Sequence, residues 1–235
     1  MCNIYYIAGL YLEMDTFGRT KLQSEPYISL SKASVNLKIL SNANKMMIDQ
    51  PHLSLDDAEY ISTGSSFYRQ LLDFNGLMLH SSAVVVDGKA YLFSANSGTG
   101  KSTHTQLWLN TFGDRAFLLN DDKPALRLED GVWYAYGTPW SGKYDISRNE
   151  RVPLAGIAFL ERGEENQIEP FKGTEAIHAF LEQTLRPNSV RVRFQLLELL
   201  DKLFSSVPVW KLRCNMDPSA AIVSYEAMSG EKYHN

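Results

Sequence analysis

The stretch AYLFSANSGTGKS, residues 90–102, decides the fold class of this chain. Its first five residues form an apolar run typical of a β-strand, and a Gly-rich loop follows at once. From Ala95 the loop fits the pattern G-x-x-x-x-G-K-[ST], with alanine in place of the first glycine. Residues 102–112 then show helical spacing of apolar side chains, and Gly113 stands where a left-handed helix cap is expected. The order strand, loop, helix is the context that a phosphate-binding loop requires.

The composition of the loop suits a nucleoside triphosphate, ATP or GTP. Gly98 and Gly100 let the backbone turn its N–H groups toward anionic oxygens, and Lys101 can reach the outer phosphates. The hydroxyl of Ser102 is a ligand for Mg²⁺. We therefore expect the nucleotide to contact nine consecutive residues: Ala95, Asn96, Ser97, Gly98, Thr99, Gly100, Lys101, Ser102 and Thr103.

An ordinary Gly-rich turn between a strand and a helix is the alternative for this loop. Ala95 favours that alternative, because its side chain would cost about 1 kcal/mol if the backbone there needed a positive φ.

Two predicted hairpins lie on either side of the loop. Residues 83–86 and 90–94 are apolar runs separated by Asp87-Gly88-Lys89, and Asp-Gly is a strong signal for a hairpin turn. Residues 125–136 contain a second hairpin, which turns at Asp130-Gly131. The sequence therefore predicts an α/β fold in which a P-loop core combines a mixed, hairpin-rich sheet with flanking helices.

Two adjacent carboxylates, Asp121 and Asp122, follow a short apolar strand predicted at residues 116–119. We expect this strand to run beside the one that leads into the loop. Mg²⁺ usually takes one or two carboxylates together with phosphate oxygens and water. One carboxylate can therefore hold the metal ion, while the other accepts a proton from an acceptor hydroxyl. A solvated acidic turn before Lys123-Pro124 is the alternative.

Two histidines lie near these elements. His80 stands just before the first hairpin strand, where the sheet can bring it close to the two aspartates. His104 lies on the helix that follows Ser102. A single histidine is more often structural than catalytic, and both interpretations stay open for each of them.

These features together resemble a known family. Leu79-His80, the first hairpin, the SGTGKS segment at residues 97–102 and the two aspartates are similar to the C-terminal catalytic domain of HPr kinase/phosphorylase. The fold and loop of that domain are shared with phosphoenolpyruvate carboxykinase. The similarity covers residues 79–163.

The resemblance implies roles for individual residues. It assigns proton transfer to His80 and Asp121 and leaves Asp122 beside the metal ion. A pair of Arg and Gly on a later strand of the family is matched by Arg162-Gly163, which implies a catalytic role for Arg162 alongside Lys101.

A loop of residues 137–150 stands in place of the family's second, Gly-rich signature. Two of its cations, Lys143 and Arg148, can neutralise a transferred phosphate or hold an anionic acceptor, and Trp140 can close over the site. An ordinary surface loop is the alternative.

The rest of the chain carries elements without recognisable chemistry. We predict N-terminal strands at residues 4–8 and 27–30 and a helix over residues 65–74. After the loop at residues 137–150 we predict two strands and three helices: a buried strand at 154–160, amphipathic helices at 174–185 and 189–204, a strand at 207–212, and a last helix that Asp217 and Pro218 open.

Composition excludes several classes of protein. The chain has 235 residues, of which 44% are hydrophobic and 21% charged, as expected for one packed unit. A net charge of -4 without a basic cluster argues against nucleic acid as a partner. No signal peptide or membrane span is predicted, so a cytoplasmic protein without a membrane partner is expected. Cys2 and Cys214 show no metal or disulfide spacing and are expected to be reduced thiols.

We therefore expect one functional unit with two parts. Residues 1–75 form a mixed α/β layer packed on a kinase-like core of residues 76–235, and a homo-oligomer is compatible with the sequence. The expected activity is an ATP- and Mg²⁺-dependent transfer of phosphate to a hydroxyl of a small molecule, peptide or protein. A nucleotide-binding accessory protein, for example one that acts beside a peptide-modifying enzyme, is the alternative, and carboxykinase-type lyase chemistry ranks last.

Overall fold

The computed structural model describes residues 3–31, 33–142, 144–187 and 189–234. Within these ranges, 12 β-strands and seven α-helices form a nine-stranded mixed sheet with flanking helices and a separate three-stranded sheet. The predicted α/β class with a mixed, hairpin-rich sheet is confirmed.

The N-terminal part is a small sheet with helices beside it. Its strands and helices are β1 (Asn3–Ile7), β2 (Leu10–Met14), α1 (Gly18–Ser24), β3 (Leu37–Ile39), α2 (Ala43–Asp49) and α3 (Leu55–Leu71). Strands β1 and β2 are antiparallel, and β3 runs parallel to β2. Ala8 and Gly9 both have positive φ, as a two-residue turn of type I′ requires.

Two N-terminal predictions need correction. Helix α3 begins ten residues before the predicted start at residue 65, because Ser54 caps it by accepting a hydrogen bond from Asp57 N at 3.0 Å. Residues 27–30 do not form a strand: Glu25–Tyr27 is a 3-10 turn, and only Ile28 makes an isolated bridge, to Tyr5.

The remaining strands form the main sheet. They are β4 (Gly76–Met78), β5 (Ser81–Val86), β6 (Lys89–Ser94), β7 (Ala116–Asn120), β8 (Ala125–Glu129), β9 (Val132–Tyr136), β10 (Arg151–Arg162), β11 (Gln167–Pro170) and β12 (Val209–Cys214). The order is β4-β8-β9-β10-β6-β5-β7, and β12 pairs with both β10 and β11. The helices are α4 (Lys101–Phe112), α5 (Gly173–Glu182), α6 (Val190–Ser206) and α7 (Ser219–Ser229).

Both predicted hairpins are confirmed. Asp87 and Gly88 have φ of 49° and 74° in the turn between β5 and β6, and Asp130 and Gly131 have φ of 49° and 82° in the turn between β8 and β9. Positive φ at both turn residues matches the right-handed twist of the paired strands.

The sheet brings four strand ends to one edge. Strands β6, β10 and β12 are parallel, so the Gly-rich loop after β6 lies at the same edge as Arg162 and Cys214, the last residues of β10 and β12. Strand β7 runs in the same direction, since β5 is antiparallel to both β6 and β7. The expectation that β7 lies beside β6 is wrong, because β5 separates them, yet Asp121 still reaches the edge that carries the loop.

One hydrophobic cluster joins the N-terminal part to the main sheet. It includes Tyr5 and Phe67 from the first part, and Met78, Tyr136 and Trp140 from the second. The cluster fixes the N-terminal helices against the sheet edge where the loop lies. In the described ranges, no helix is both long enough and apolar enough to cross a bilayer.

Candidate functional site

An open cleft of about 800 Å³ lies at the sheet edge described above. We call it the main cleft. One side is the Gly-rich loop with the first turn of α4, and the floor is the turn from Asp121 to Lys123 with His80 beside it. Arg19 and Tyr60 from the N-terminal part form the opposite side.

The loop adopts a conformation that its glycines permit. Gly98 and Gly100 have φ of 79° and 126°, values that side chains other than glycine rarely adopt. Ala95 does not have a positive φ; it is 5% exposed and packs in the core. The alanine at the first loop position is therefore accommodated without backbone strain.

Arg162 fixes the direction of two loop peptides. Its Nη2 donates to Gly98 O at 2.6 Å, and its Nε donates to Thr99 O at 3.4 Å. Because C=O and N–H point in opposite directions across a trans peptide, the N–H of Gly100 points away from Arg162. The contact of Arg162 with Thr99 O therefore turns the N–H of Gly100 toward the other side of the loop, where an anion could bind it.

Lys101 lies across the inside of the loop. Its Nζ donates to Ala95 O at 2.8 Å, which brings the ammonium group back to the start of the loop. Burial lowers the pKa of Lys101, and the nearby Asp122 and Asp121 oppose that shift. The lysine is thus electrostatically coupled to both carboxylates before any ligand binds.

The two carboxylates have different surroundings. Asp121 Oδ1 accepts a hydrogen bond from Ser82 Oγ at 2.8 Å. Burial raises the pKa of Asp121, Ser82 opposes that shift, and the neighbouring Asp122 adds to it. Asp121 is therefore the better proton acceptor of the two.

Asp122 is held by a histidine on one side and a lysine on the other. Its Oδ1 lies 3.0 Å from His80 Nε2, and its Oδ2 accepts from Lys123 Nζ. Burial raises the pKa of Asp122, but His80 and Lys123 together outweigh burial and lower it to about 2. Asp122 is ionised at neutral pH, as a ligand for a cation must be.

His80 connects Asp122 to the start of the loop. Its Nδ1 lies 3.1 Å from Gln183 Oε1, and Gln183 Nε2 donates to Asn96 Oδ1 at 2.7 Å. The histidine thus contacts Asp122 rather than Asp121. Gln183 follows α5 and had no signal in the sequence that would have associated it with the site.

Asn120 shapes the turn that carries both aspartates. Its Oδ1 accepts from Asp122 N at 3.0 Å and from Lys123 N at 2.7 Å, and its Nδ2 donates to Thr138 O at 3.0 Å. Asn120 is fully buried. An asparagine that binds the backbone N–H groups two and three residues ahead is typical of an Asx turn, so this role had a readable signal in the sequence.

The side opposite the loop is assembled by Arg19. Its guanidinium lies 3.9 Å over the ring of Tyr60, and its Nη2 donates to Gly142 O at 2.5 Å. Gly142 N donates in turn to Tyr60 OH at 3.0 Å. Sequence analysis missed Arg19 and Tyr60, since neither lies in a motif.

Two predicted residues of the 137–150 loop do not reach the main cleft. Trp140 is fully buried: its ring stacks 5.0 Å from Phe67, and its Nε1 donates to Thr63 Oγ1 at 3.3 Å. The expectation that Trp140 closes over the site is therefore wrong. Arg148 does not line the main cleft either, because its guanidinium packs 4.1 Å from the ring of Phe117.

Three further residues complete the comparison with the sequence predictions. Lys143 lies outside the described residues. Arg162 contacts the loop from behind and does not line the main cleft. His104 is 2% exposed and packs against Phe93 within the core.

The cleft residues fit a magnesium ion that is shared with a nucleotide. No cluster of three or more His, Cys, Asp and Glu side chains in the described ranges could hold a metal ion alone. The Ser102 hydroxyl and the Asp122 carboxylate both line the main cleft, and Mg²⁺ often takes only such a pair from the protein.

Comparisons with known proteins identify a family and include similarities to solved structures. No curated protein matches this chain. The structure of the Hpr(Ser) kinase/phosphatase from Coxiella burnetii matches with a TM-score of 0.37 and 12% identity, over 65% of this chain and 95% of that one. At these values the similarity assigns no role to any residue. The profile of the family described as SynChlorMet cassette protein ScmC matches residues 54–219, more than half of the chain. The protein therefore belongs to the SynChlorMet cassette protein ScmC family.

Proposed function

We propose that this protein is an ATP- and Mg²⁺-dependent kinase that transfers the γ-phosphoryl group to a hydroxyl of a small molecule, peptide or protein. The observation that carries the proposal is the meeting of Lys101, Ser102, Asp121 and Asp122 in the main cleft. Phosphoryl transfer needs an amide-lined loop, a cation for the outer phosphates, a metal ligand and a proton acceptor, and this set supplies all four.

Each residue has a role that its contacts support. The loop amides and Lys101 bind the phosphates, and Ser102 and Asp122 hold Mg²⁺, which neutralises charge on the β- and γ-phosphates when bound. Lys123 also lines the main cleft, where its ammonium group pairs with Asp122.

Asp121 is the proton acceptor in this proposal. The acceptor oxygen forms a bond to the γ-phosphorus while the bond from that phosphorus to the β-phosphate oxygen breaks, and ADP leaves. Asp121 takes the hydroxyl proton, and its bond from Ser82 holds one carboxylate oxygen in place. His80 is a positioning residue, because it contacts Asp122 on one side and Gln183 on the other, and Gln183 is hydrogen-bonded to the loop.

Calorimetry tests the nucleotide requirement. We expect ATP to bind in the presence of Mg²⁺, with GTP and ADP as comparisons, and Lys101→Ala to lose at least tenfold in affinity. Lys202→Ala, an exposed lysine on α6, is the matched control and should bind as the natural protein does. Equal affinity in Lys101→Ala would contradict the proposal.

Transfer of labelled phosphate tests the reaction. With γ-labelled ATP, Mg²⁺ and an extract of the producing cells, we expect one labelled acceptor and a loss of labelling of about 100-fold or more in Asp121→Asn. Asp114→Asn, an exposed aspartate after α4, serves as the control. Release of free phosphate alone, at the same rate in Asp121→Asn, would contradict a kinase.

A second candidate is a nucleotide-binding accessory protein that acts on a partner, in keeping with a family named for a cassette. Its specific support is the ion pair between Asp122 and Lys123, which satisfies the carboxylate without a metal ion. In that case Lys101→Ala abolishes nucleotide binding, while Asp121→Asn changes neither nucleotide nor partner binding. Carboxykinase-type lyase chemistry has no further support in the main cleft.

A further inference from the structure

A second cavity of about 450 Å³ lies behind the Gly-rich loop. We call it the side cavity. Gly98, Gly100 and Thr103 line both it and the main cleft, so the loop is a rim between the two. The ends of β10 and β12, including Leu160 and Cys214, form its other wall.

The two cavities differ in chemistry. The main cleft presents Lys101, Asp121 and Asp122, whereas the wall of the side cavity includes the apolar Leu160 and the 77% exposed Met216. Glu161 and Arg162 also line the side cavity, but Glu161 is paired with Lys211 and Arg162 is bonded to Gly98 O. Apolar walls with a few polar groups bind a flat nucleobase well, whereas cations and backbone N–H groups bind the oxygens of a triphosphate. A nucleotide lying across the loop therefore meets suitable surroundings at both ends.

His104 lines the side cavity with an unused acceptor. The Ser224 hydroxyl donates to Ala220 O at 2.7 Å and accepts from Trp108 Nε1 at 2.9 Å. With the Ser224 proton on a carbonyl of α7, His104 Nε2, at 3.2 Å from the same oxygen, is the donor, and this tautomer has a lone pair on Nδ1. This Nδ1 is buried and has no hydrogen-bond partner within the described part of the chain.

We propose that the side cavity binds the nucleoside of the nucleotide whose phosphates lie on the loop, and that His104 Nδ1 accepts a hydrogen bond from an amino or hydroxyl group of that nucleoside. The proposal rests on the proposed function for the identity of the ligand as a nucleotide. It explains an unpaired buried acceptor, which otherwise costs stability.

Protection of Cys214 tests the location of the nucleoside. In a Cys2→Ser variant we expect ATP with Mg²⁺ to slow alkylation of Cys214 by N-ethylmaleimide at least fivefold. Tripolyphosphate, which has no nucleoside, should bind without slowing the reaction. Equal rates with and without bound ATP would overturn the proposal.

A His104→Phe variant tests the acceptor. We expect its affinity for ATP to fall about five- to tenfold, the effect of one hydrogen bond, with affinity for tripolyphosphate unchanged. Circular dichroism confirms that the variant is folded, and if it is not, the protection of Cys214 decides alone.

These experiments separate the two proposals. Protection of Cys214 without phosphate transfer supports the nucleoside site and contradicts the kinase. Binding of ATP with unprotected Cys214 contradicts the nucleoside site and leaves the kinase intact. Failure of the natural protein to bind ATP at all overturns both.

Helix α6 carries a separate observation, an apolar stripe on its exposed side. Val190, Phe194 and Leu197 are 66%, 64% and 44% exposed and follow helical spacing. The opposite side of the helix is already buried in the core through Leu196, Leu199, Leu200 and Leu203. The stripe is therefore not needed for packing within one chain.

Charges beside the stripe are self-complementary. Arg191 and Glu198 are seven residues apart, two helical turns, so they lie on the same side of α6 with Phe194 between them. Both are exposed and make no hydrogen bond or ion pair within the described ranges. An antiparallel copy of the helix would place Arg191 beside Glu198 of the partner subunit.

We infer that α6 pairs with α6 of a second copy of this chain, antiparallel about a two-fold axis near Phe194. Each pairing then brings two Arg–Glu contacts and buries both apolar stripes. The inference does not depend on the proposed function.

Light scattering after size exclusion tests the pairing. We expect a dimer for the natural protein, a monomer for Phe194→Glu, weaker dimers for Arg191→Glu and Glu198→Arg, and recovery in the double reversal. Leu30→Glu, at a 96% exposed position, is the control and should stay dimeric. A monomeric natural protein, or a double reversal no better than the single ones, would overturn the inference.

Discussion

The two sides of the main cleft are built in different ways. The loop side, residues 95–103, is one continuous segment between β6 and α4. The opposite side joins Arg19 to Gly142, which are 123 residues apart, by a direct hydrogen bond, and the ring of Tyr60 packs against the guanidinium of Arg19. A continuous segment keeps its shape through local backbone geometry, whereas the opposite side exists only while the core beneath it is intact. Damage to the core should therefore disrupt the opposite side of the cleft while the loop side keeps its shape.

Trp140→Ala should have the largest effect on the side opposite the loop. Trp140 is fully buried against Phe67, and Gly142 lies two residues later. We expect the free energy of unfolding to fall by about 3–5 kcal/mol, the usual cost of truncating a buried tryptophan. Urea unfolding measures it, with Leu30→Ala as an exposed control expected within about 0.5 kcal/mol. A loss below about 1 kcal/mol would show that this side does not depend on the cluster.

Acid should lower the free energy of unfolding through His104, which lies on the loop side. Burial lowers the pKa of His104 to about 4, below its ordinary 6.5. The unfolded chain therefore binds a proton first as the pH falls, and the folded protein loses up to about 3 kcal/mol between pH 6.5 and 4. The difference in free energy of unfolding between the natural protein and His104→Gln should decrease as the pH falls from 6.5 to 4. A constant difference between the two from pH 7 to 4 would contradict a buried, neutral histidine.

Asn120→Ala should affect the floor between the two sides. The change leaves the buried N–H groups of Asp122 and Lys123 without the acceptor that now binds them. We expect a loss of about 2 kcal/mol in the free energy of unfolding. Asn110→Ala, at an exposed position on α4, is the matched control. An Asn120→Ala variant as stable as this control would mean that the turn forms without its side chain.

Gly98→Ala should give the smallest change in stability, but it should also weaken nucleotide binding. With φ of 79° and open space around the added methyl group, the cost is about 1 kcal/mol of backbone strain. Gly88→Ala, with φ of 74° and equally open surroundings in a hairpin turn, should cost the same. Only Gly98→Ala should also weaken nucleotide binding in calorimetry. Equal nucleotide affinity in the two variants would contradict a phosphate-binding role for the loop.

The same contrast explains what the sequence could predict. The hairpins at Asp87-Gly88 and Asp130-Gly131 follow from local turn chemistry, and the structure has them as predicted. Helix α4 ends at Phe112 as predicted and begins one residue early, but Gly113, with φ of 52° and ψ of -126°, does not adopt the predicted left-handed cap. The proximity of Asp121 to Lys101 was also foreseen, although β5 lies between their strands.

The rest depended on contacts across the chain. Trp140 looked like a surface aromatic in a polar loop, and only the partners Phe67 and Thr63, more than 70 residues earlier, show that it is core. Arg19 and Tyr60 belong to helices of ordinary composition, so no local pattern could have connected them to the cleft. Tertiary packing, rather than propensity, decided these positions.

The buried position of Trp140 also gives the protein an internal optical signal. Its indole touches Phe67 and Tyr68, and the chain reaches Gly142 at the rim of the cleft two residues later. A ligand that shifts Gly142 changes the surroundings of the indole, and with them its fluorescence emission. Because the chain has four tryptophans, the part of a ligand-dependent emission change that is lost in a Trp140→Phe variant reports on this region without any added label.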